Sequence, residues 1–145
     1  GKENLELGRR TFAQRAIKQT GGWQQNAIKA AYLGLTAEAA ELTSQNFNAG
    51  TTYYRFPTMW GPNYDWTPDQ CHGTVAMTAL QRMLVQYEGD SIYLLPAWPE
   101  NWNVDFKIFA PKNTTIEASI KNGKIKRLEV TPSIRKKDII VNSKN

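Results

Sequence analysis

Asp65 and Asp69 stand four residues apart within residues 53–73, a run that also holds Tyr53, Tyr54, Phe56, Trp60, Tyr64 and Trp66. The chain's single histidine, His72, and single cysteine, Cys71, lie in the same run. Aromatic side chains beside carboxylates are what a sugar site needs. A pyranose ring offers apolar faces to Trp and Tyr, and glycosidic cleavage takes a carboxylic acid and a carboxylate on opposite sides of the bond. Asp69 also stands just before a helical pattern, where an aspartate side chain caps backbone N–H groups. From chemistry alone both roles are open to Asp69, and the aromatics suit either a sugar platform or a core.

Other chemistries find less material. Cys71 and His72 are adjacent, which is poor geometry for a nucleophile and its base. No further His or Cys exists to complete a metal set, so neither a metal nor another cofactor is expected. The Gly-containing turns match neither nucleotide fingerprint.

Pro57, Pro62 and Pro68 rule out a helix or a central strand through this run. It reads as a long ordered loop over 50–72, and ordered loops of that length are usually functional. The elements around it are helical before and extended after. Over 4–19, Leu5, Gly8, Phe12, Ala16 and Ile17 fall at mostly helical spacing, with Leu7 and Ala13 widening the buried face. Arg9, Arg10 and Lys18 lie off that stripe; Asn4 suits the N-cap and Gly21-Gly22 the stop.

A second helix is expected over 23–33, with Trp23, Ala27, Ile28, Ala31, Tyr32 and Leu35 inward and Gly34 ending it. Thr36 then suits the cap of an Ala-rich third helix over 37–47. A fourth, over 73–87, carries Val75, Ala79, Leu80, Met83, Leu84 and Tyr87 as its apolar stripe, with Gln81, Arg82 and Gln86 facing away.

After Glu88-Gly89-Asp90 the period changes from helical to alternating. Strands are expected over 91–95, 104–109, 114–120, 124–130 and 138–141, in an antiparallel meander. Asn122-Gly123 marks a hairpin between the third and fourth of them. The Pro- and Trp-rich stretch 96–102 reads as a stiff, packed connection. The fold class is therefore α+β: a helical module over 1–89 with the aromatic loop 50–72, then a small antiparallel β module over 90–145.

At 145 residues, 41% hydrophobic and 11% aromatic, the chain can bury a core as one domain or two small ones. No apolar run approaches the roughly 20 residues that a bilayer needs, so no membrane partner is expected. A single cysteine excludes an internal disulfide. The polar opening Gly1-Lys2-Glu3-Asn4 has no signal-peptide pattern and leaves a removed signal or an upstream domain open. Charge is uneven: residues 1–106 hold 8 Lys/Arg against 10 Asp/Glu, and 107–145 hold 10 against 3. A basic module can bind an acidic polymer or nucleic acid. These cations alternate with core-type residues and make no dense run, which favours lysines that blunt strand edges. No nucleic-acid partner is expected.

The segments Arg55-Phe56-Pro57-Thr58-Met59-Trp60-Gly61-Pro62-Asn63-Tyr64-Asp65-Trp66, Pro68-Asp69, Leu80-Gln81-Arg82-Met83-Leu84-Val85-Gln86 and Ile92-Tyr93-Leu94-Leu95-Pro96-Ala97-Trp98-Pro99, in that order, resemble bacterial proteins related to glycoside hydrolases with an (α/α)6 toroid. The pattern is similar to glycoside hydrolase family 95, the α-L-fucosidase type, over roughly residues 20–141. The resemblance implies the last helices of a toroid followed by its β module, hence helical hairpins that make a partial toroid. It implies that Asp69 belongs to the base machinery of an inverting hydrolysis, with the general acid upstream. It implies that Trp60, Asn63, Tyr64, Asp65, Trp66 and His72 contact an oligosaccharide or glycan, and that the protein is periplasmic or extracellular. The segment Asp69-Gln70-Cys71-His72-Gly73 departs from the family pattern by lacking an amide and an aromatic between Asp and Gly.

On this reading the chain alone holds half of a two-carboxylate mechanism. Four helices do not close a toroid, so apolar faces around Phe12, Trp23 and Leu80 are expected to stay partly uncovered. Their expected partner is the upstream catalytic part of the same protein or a second copy. The alternative is a stand-alone, non-catalytic carbohydrate-binding or accessory module.

Overall fold

Leu5, Gly8, Arg9 and Phe12 are the residues of helix α1 (Leu5–Gln14) that escape full exposure, and they follow the i, i+3, i+4, i+7 stripe of a one-sided helix. In this computed structural model the described residues are 2–19, 24–48, 56–57, 64–65 and 71–141. Two expectations about α1 fail. Arg9 lies on the packed stripe, because its Nε donates to the Leu33 carbonyl at 2.9 Å, while Leu7 and Ala13 are exposed. The helix also ends at Gln14, so Ile17 falls outside it and is exposed. Asn4 occupies the N-cap position but makes no side-chain capping bond.

Helix α2 (Asn26–Tyr32) buries Asn26, Ala27, Ala30 and Ala31. Its end is a paired turn: Gly34 N–H donates to the Ala31 carbonyl and Leu35 N–H to the Ala30 carbonyl. That arrangement needs a left-handed residue after the cap, and Gly34 supplies it at φ +67°. Tyr32, expected inward, is exposed beyond the alanine face. Helix α3 (Thr36–Asn48) buries Ala39, Leu42, Thr43 and Asn46, again one stripe. Helix α4 (Cys71–Leu84) buries Ala76, Ala79, Met83 and Leu84. Alanine fills three of the four buried positions of α2 and recurs at Ala39 of α3 and at Ala76 and Ala79 of α4, and short side chains let helix axes approach closely.

Helix α4 stops at Leu84, three residues before the expected end. Strand β3 (Val85–Glu88) follows at once and pairs antiparallel with β4 (Ser91–Leu94), Val85 opposite Leu94 and Glu88 opposite Ser91. The link is Gly89-Asp90, with Gly89 at φ +58°. β-Branched Val85 and aromatic Tyr87 suit a strand as well as a helix, and the hairpin with Ile92 and Leu94 decides between them.

Strands β5 (Val104–Ala110), β6 (Thr114–Lys121) and β7 (Lys124–Thr131) form the antiparallel meander that alternation predicts. Asn122 and Gly123 both have positive φ, as a two-residue hairpin of this kind requires. Along β6, Thr114, Ile116, Ala118 and Ile120 point inward and are buried. The last strand departs from the expected meander. A 3₁₀ segment (Ser133–Asp138) carries the chain away from β7, and β8 (Ile139–Val141) lies parallel to β4, Ile92 opposite Ile139. Arg135 fixes this detour: its guanidinium pairs with Asp138 and donates to the Asp90 carbonyl and the Thr114 hydroxyl.

The chain is thus α+β, with four helices among the described residues of its first part and two three-stranded sheets after them. One hydrophobic cluster joins Phe12, Ala30, Met83, Val85, Ile92, Leu94 and Ile116, drawing on helices and both sheets. Phe12 is therefore buried at 4% exposure, against the expectation of an uncovered face, and Leu80 packs against the same cluster. Trp23 lies outside the described residues.

Candidate functional site

Two short strands lie within the aromatic run. Strands β1 (Phe56–Pro57) and β2 (Tyr64–Asp65) pair antiparallel, with Phe56 opposite Asp65 and Pro57 opposite Tyr64. Proline tolerates such a place because it lacks only an N–H, and a two-residue ladder leaves edges where none is required. The pairing brings the Tyr64 and Asp65 backbone beside Phe56 and Pro57. His72 is the second residue of α4, next to Cys71. Trp60, Asn63, Trp66 and Asp69 lie outside the described residues.

The far end of α4 is held from several directions. Helix ends leave their last carbonyls without intrahelical donors. Here Leu95 N–H donates to the Leu84 carbonyl at 2.7 Å and Ala97 N–H to the Met83 carbonyl at 3.3 Å. Gln86, expected to face solvent, is 2% exposed and donates its side-chain amide to the Ala31 and Arg82 carbonyls. Thr43 of α3 points its hydroxyl at the Met83 sulfur at 3.5 Å. The helix that begins beside the aromatic run is thus clamped at its other end, about 21 Å away for its 14 residues. A glutamine among Val85, Leu84 and Tyr87 is the sequence signal for this clamp.

The stretch after β4 is packed as expected. Trp98 Nε1 donates to the Trp102 carbonyl at 3.0 Å, and the two rings meet edge to face with centroids 5.3 Å apart. Leu95 turns the chain with φ +57°, a left-handed conformation that bulky residues rarely adopt.

On the outer face of β5–β6–β7 the charges pair across strands and, on β7, along one. Lys107 meets Glu117 at 2.7 Å, Lys121 meets Asp105 at 2.7 Å, and Arg127 reaches Glu129 at 2.8 Å and Glu117 at 3.7 Å. Hydrogen bonds from Lys121, then Ser119, hold the Asp105 carboxyl below the usual carboxylate range. Arg127 does the same for Glu129. Lys112 pairs with Asp90. Lys124, Lys126, Lys136 and Lys137 meet no carboxylate among the described residues.

A cleft of about 410 Å³ opens where the start of α3, residues 95–100, the β6–β7 hairpin and β8 meet. It lies apart from the aromatic run in sequence, and its lining includes Thr36, Leu95, Trp98, Lys124, Ile125 and Val141. Among the described residues no group of three His, Cys, Asp or Glu could hold a metal ion. No described helix is long and apolar enough to cross a membrane. No protein-family model and no curated protein matches this chain.

Proposed function

We propose that this chain is the C-terminal portion of a glycoside-hydrolase-like protein that acts on or binds carbohydrate. In this reading Asp69 is the catalytic carboxylate, and Trp60, Asn63, Tyr64, Asp65, Trp66 and His72 line the sugar site. The observation that supports it is the β1–β2 pairing, which sets Asp65 opposite Phe56 within the aromatic run and shortly ahead of α4. Asp69 precedes Cys71, the first residue of α4, by two positions. The first turn of α4 holds no acidic residue of its own, and the positive end of a helix favours an ionised carboxylate close to it, as a base requires. The general acid comes from the upstream part of the same protein.

A second reading, a stand-alone carbohydrate-binding or accessory module, is favoured by the burial of Phe12 in a cluster shared by helices and sheets. Asp69→Asn separates the two. In the first reading the substitution abolishes hydrolysis by the full-length protein, read by reducing-sugar release from a fucosylated oligosaccharide. In the second it leaves sugar affinity within about twofold, read by calorimetry, with no turnover to lose. Retained hydrolysis by the Asn variant defeats the first reading, and absence of any sugar binding defeats the second.

A further inference from the structure

We propose that two copies of this chain pair antiparallel along β5, about a two-fold axis between their Phe106 residues. The contact is independent of the carbohydrate reading and uses a different surface from the faces of the helices. Strand β5 bonds to β6 on one side, and among the described residues no strand pairs with its other side. An open ladder of seven residues without proline is a template for a further strand. The opposite edge, β7, is guarded by Lys124, Lys126 and Arg127 and runs beside the 3₁₀ segment.

Charge complementarity selects a second copy as the occupant. Asp105 and Lys107 share the outer face of β5, two residues apart, with side chains 66% and 57% exposed. Each already meets one opposite charge on β6, Lys121 and Glu117, and a carboxylate or an ammonium takes more than one partner. A two-fold pairing that keeps like faces together must centre on a residue. Centred on Phe106, it sets Asp105 opposite Lys107 of the second copy, and Lys107 opposite Asp105 of that copy. Centred one residue either way, it sets Asp105 opposite Asp105 or Lys107 opposite Lys107, and like charges so placed destabilise. Centres further along leave both charges unmatched. On the inner face the same register sets Phe106 against Phe106 and Val104 against Ile108, side chains that one copy leaves partly exposed. It also brings Phe109, 74% exposed, opposite Asn103 of the second copy. A peptide of one charge sign would be repelled by Asp105 or by Lys107.

Sedimentation equilibrium of the whole chain tests the pairing. A single strand pair is a small interface of the weak class, so the series runs up to about 1 mM. A concentration-dependent dimer is expected. Lys107→Glu puts carboxylates opposite each other at both pairs, and Asp105→Lys puts ammoniums there. Each variant alone should dimerise about tenfold more weakly. An equimolar mixture of the two variants restores both attractive pairs and should recover the dimer. The unaltered chain gives a further readout in a half isotope-labelled sample. Val104 and Ile108 stand about 13 Å apart along one strand, so a nuclear Overhauser effect between their methyls arises only across copies. The proposal is overturned if the unaltered chain stays monomeric throughout the series, or if its dimer lacks the Val104–Ile108 effect. It is equally overturned if either variant dimerises as the unaltered chain does, or if the mixture stays monomeric.

Discussion

The side-chain amide of Gln86 donates to the carbonyl of Ala31 at 2.7 Å, across 55 residues of chain. The same nitrogen donates to the Arg82 carbonyl at 2.9 Å, so both of its hydrogens are used. Ala31 lies in the last turn of α2, and Arg82 in the last turn of α4. Carbonyls there lack intrahelical donors; that of Ala31 accepts from Gly34 N–H as well as from Gln86, and losing a buried donor at either carbonyl is costly. One glutamine thereby ties two helix ends together where α4 becomes β3.

Replacing Gln86 should therefore be costly in a graded way. Gln86→Leu keeps most of the volume and removes both donors, for a loss of about 2 kcal/mol. Gln86→Ala adds a cavity and should cost about 3 kcal/mol. Urea unfolding followed by far-ultraviolet circular dichroism measures both. A loss below about 0.5 kcal/mol for each, the size expected of a surface site, would show that the amide is not a structural tie.

The hairpin between β6 and β7 offers a backbone test. Gly123 has φ +69°, and a Cβ there would come within 3.4 Å of the Glu100 carbonyl oxygen. A left-handed conformation costs an L-residue about 1–2 kcal/mol. Gly123→Ala should lower stability by that amount, whereas Asn122→Gly, at a position already at φ +51°, should be nearly neutral. Thermal melts of the two variants give the comparison.

Acid should loosen the β5–β6–β7 sheet through identifiable groups. Asp105 is held below the usual carboxylate range, first by the hydrogen bond from Lys121 and then by that from Ser119; Glu129 is held low by Arg127. A carboxyl with a lowered folded pKa contributes stability above its unfolded pKa, near about 4, and loses it as pH falls through the folded value. The sheet should thus weaken below about pH 4 and not between about pH 5 and pH 8. Carboxyl NMR titration should place Asp105 below an unstructured aspartate, and Lys121→Ala should move it back up. An unchanged midpoint in that variant would contradict the assigned cause.

The β meander was legible because alternation and Asn122-Gly123 are local signals, and the facing of side chains follows from them: Ile116 and Ile120 inward, Glu117 and Lys121 outward. The places where reading failed depend on partners remote in sequence. Val85–Glu88 fits a helical period and a strand equally, and only pairing with Ser91–Leu94 selects the strand. Arg9 looks like a solvent residue until Leu33 brings its carbonyl alongside. The parallel placement of β8 depends on Arg135 reaching Asp138, Thr114 and Asp90, contacts that no local pattern announces. Of the candidate site, the two-residue pairing of Phe56–Pro57 with Tyr64–Asp65 had no alternation to announce it, and the expected sugar-binding residues Trp60, Asn63 and Trp66, with Asp69, lie outside the described residues.

The turn at Gly89 looks like a place to cut the chain, but the contacts across it argue otherwise. Residues 90–145 alone would lose β3, which pairs with β4 along its whole length from Val85–Leu94 to Glu88–Ser91. Ile92 and Leu94, both fully buried, would keep only the three-residue β8 beside them. The fragment would also lose Met83 and Leu84, whose carbonyls accept from Ala97 and Leu95 and fix the course of the chain after β4. Burying an aliphatic side chain such as Ile92 or Leu94 contributes about 1.5–3 kcal/mol, a large share of the net stability of so small a unit. Residues 90–145 should therefore give no cooperative thermal transition, while residues 71–145, which restore α4 and β3, should regain part of one. A sharp melt from the shorter fragment would mean that β5–β6–β7 is stable without the helical clamp.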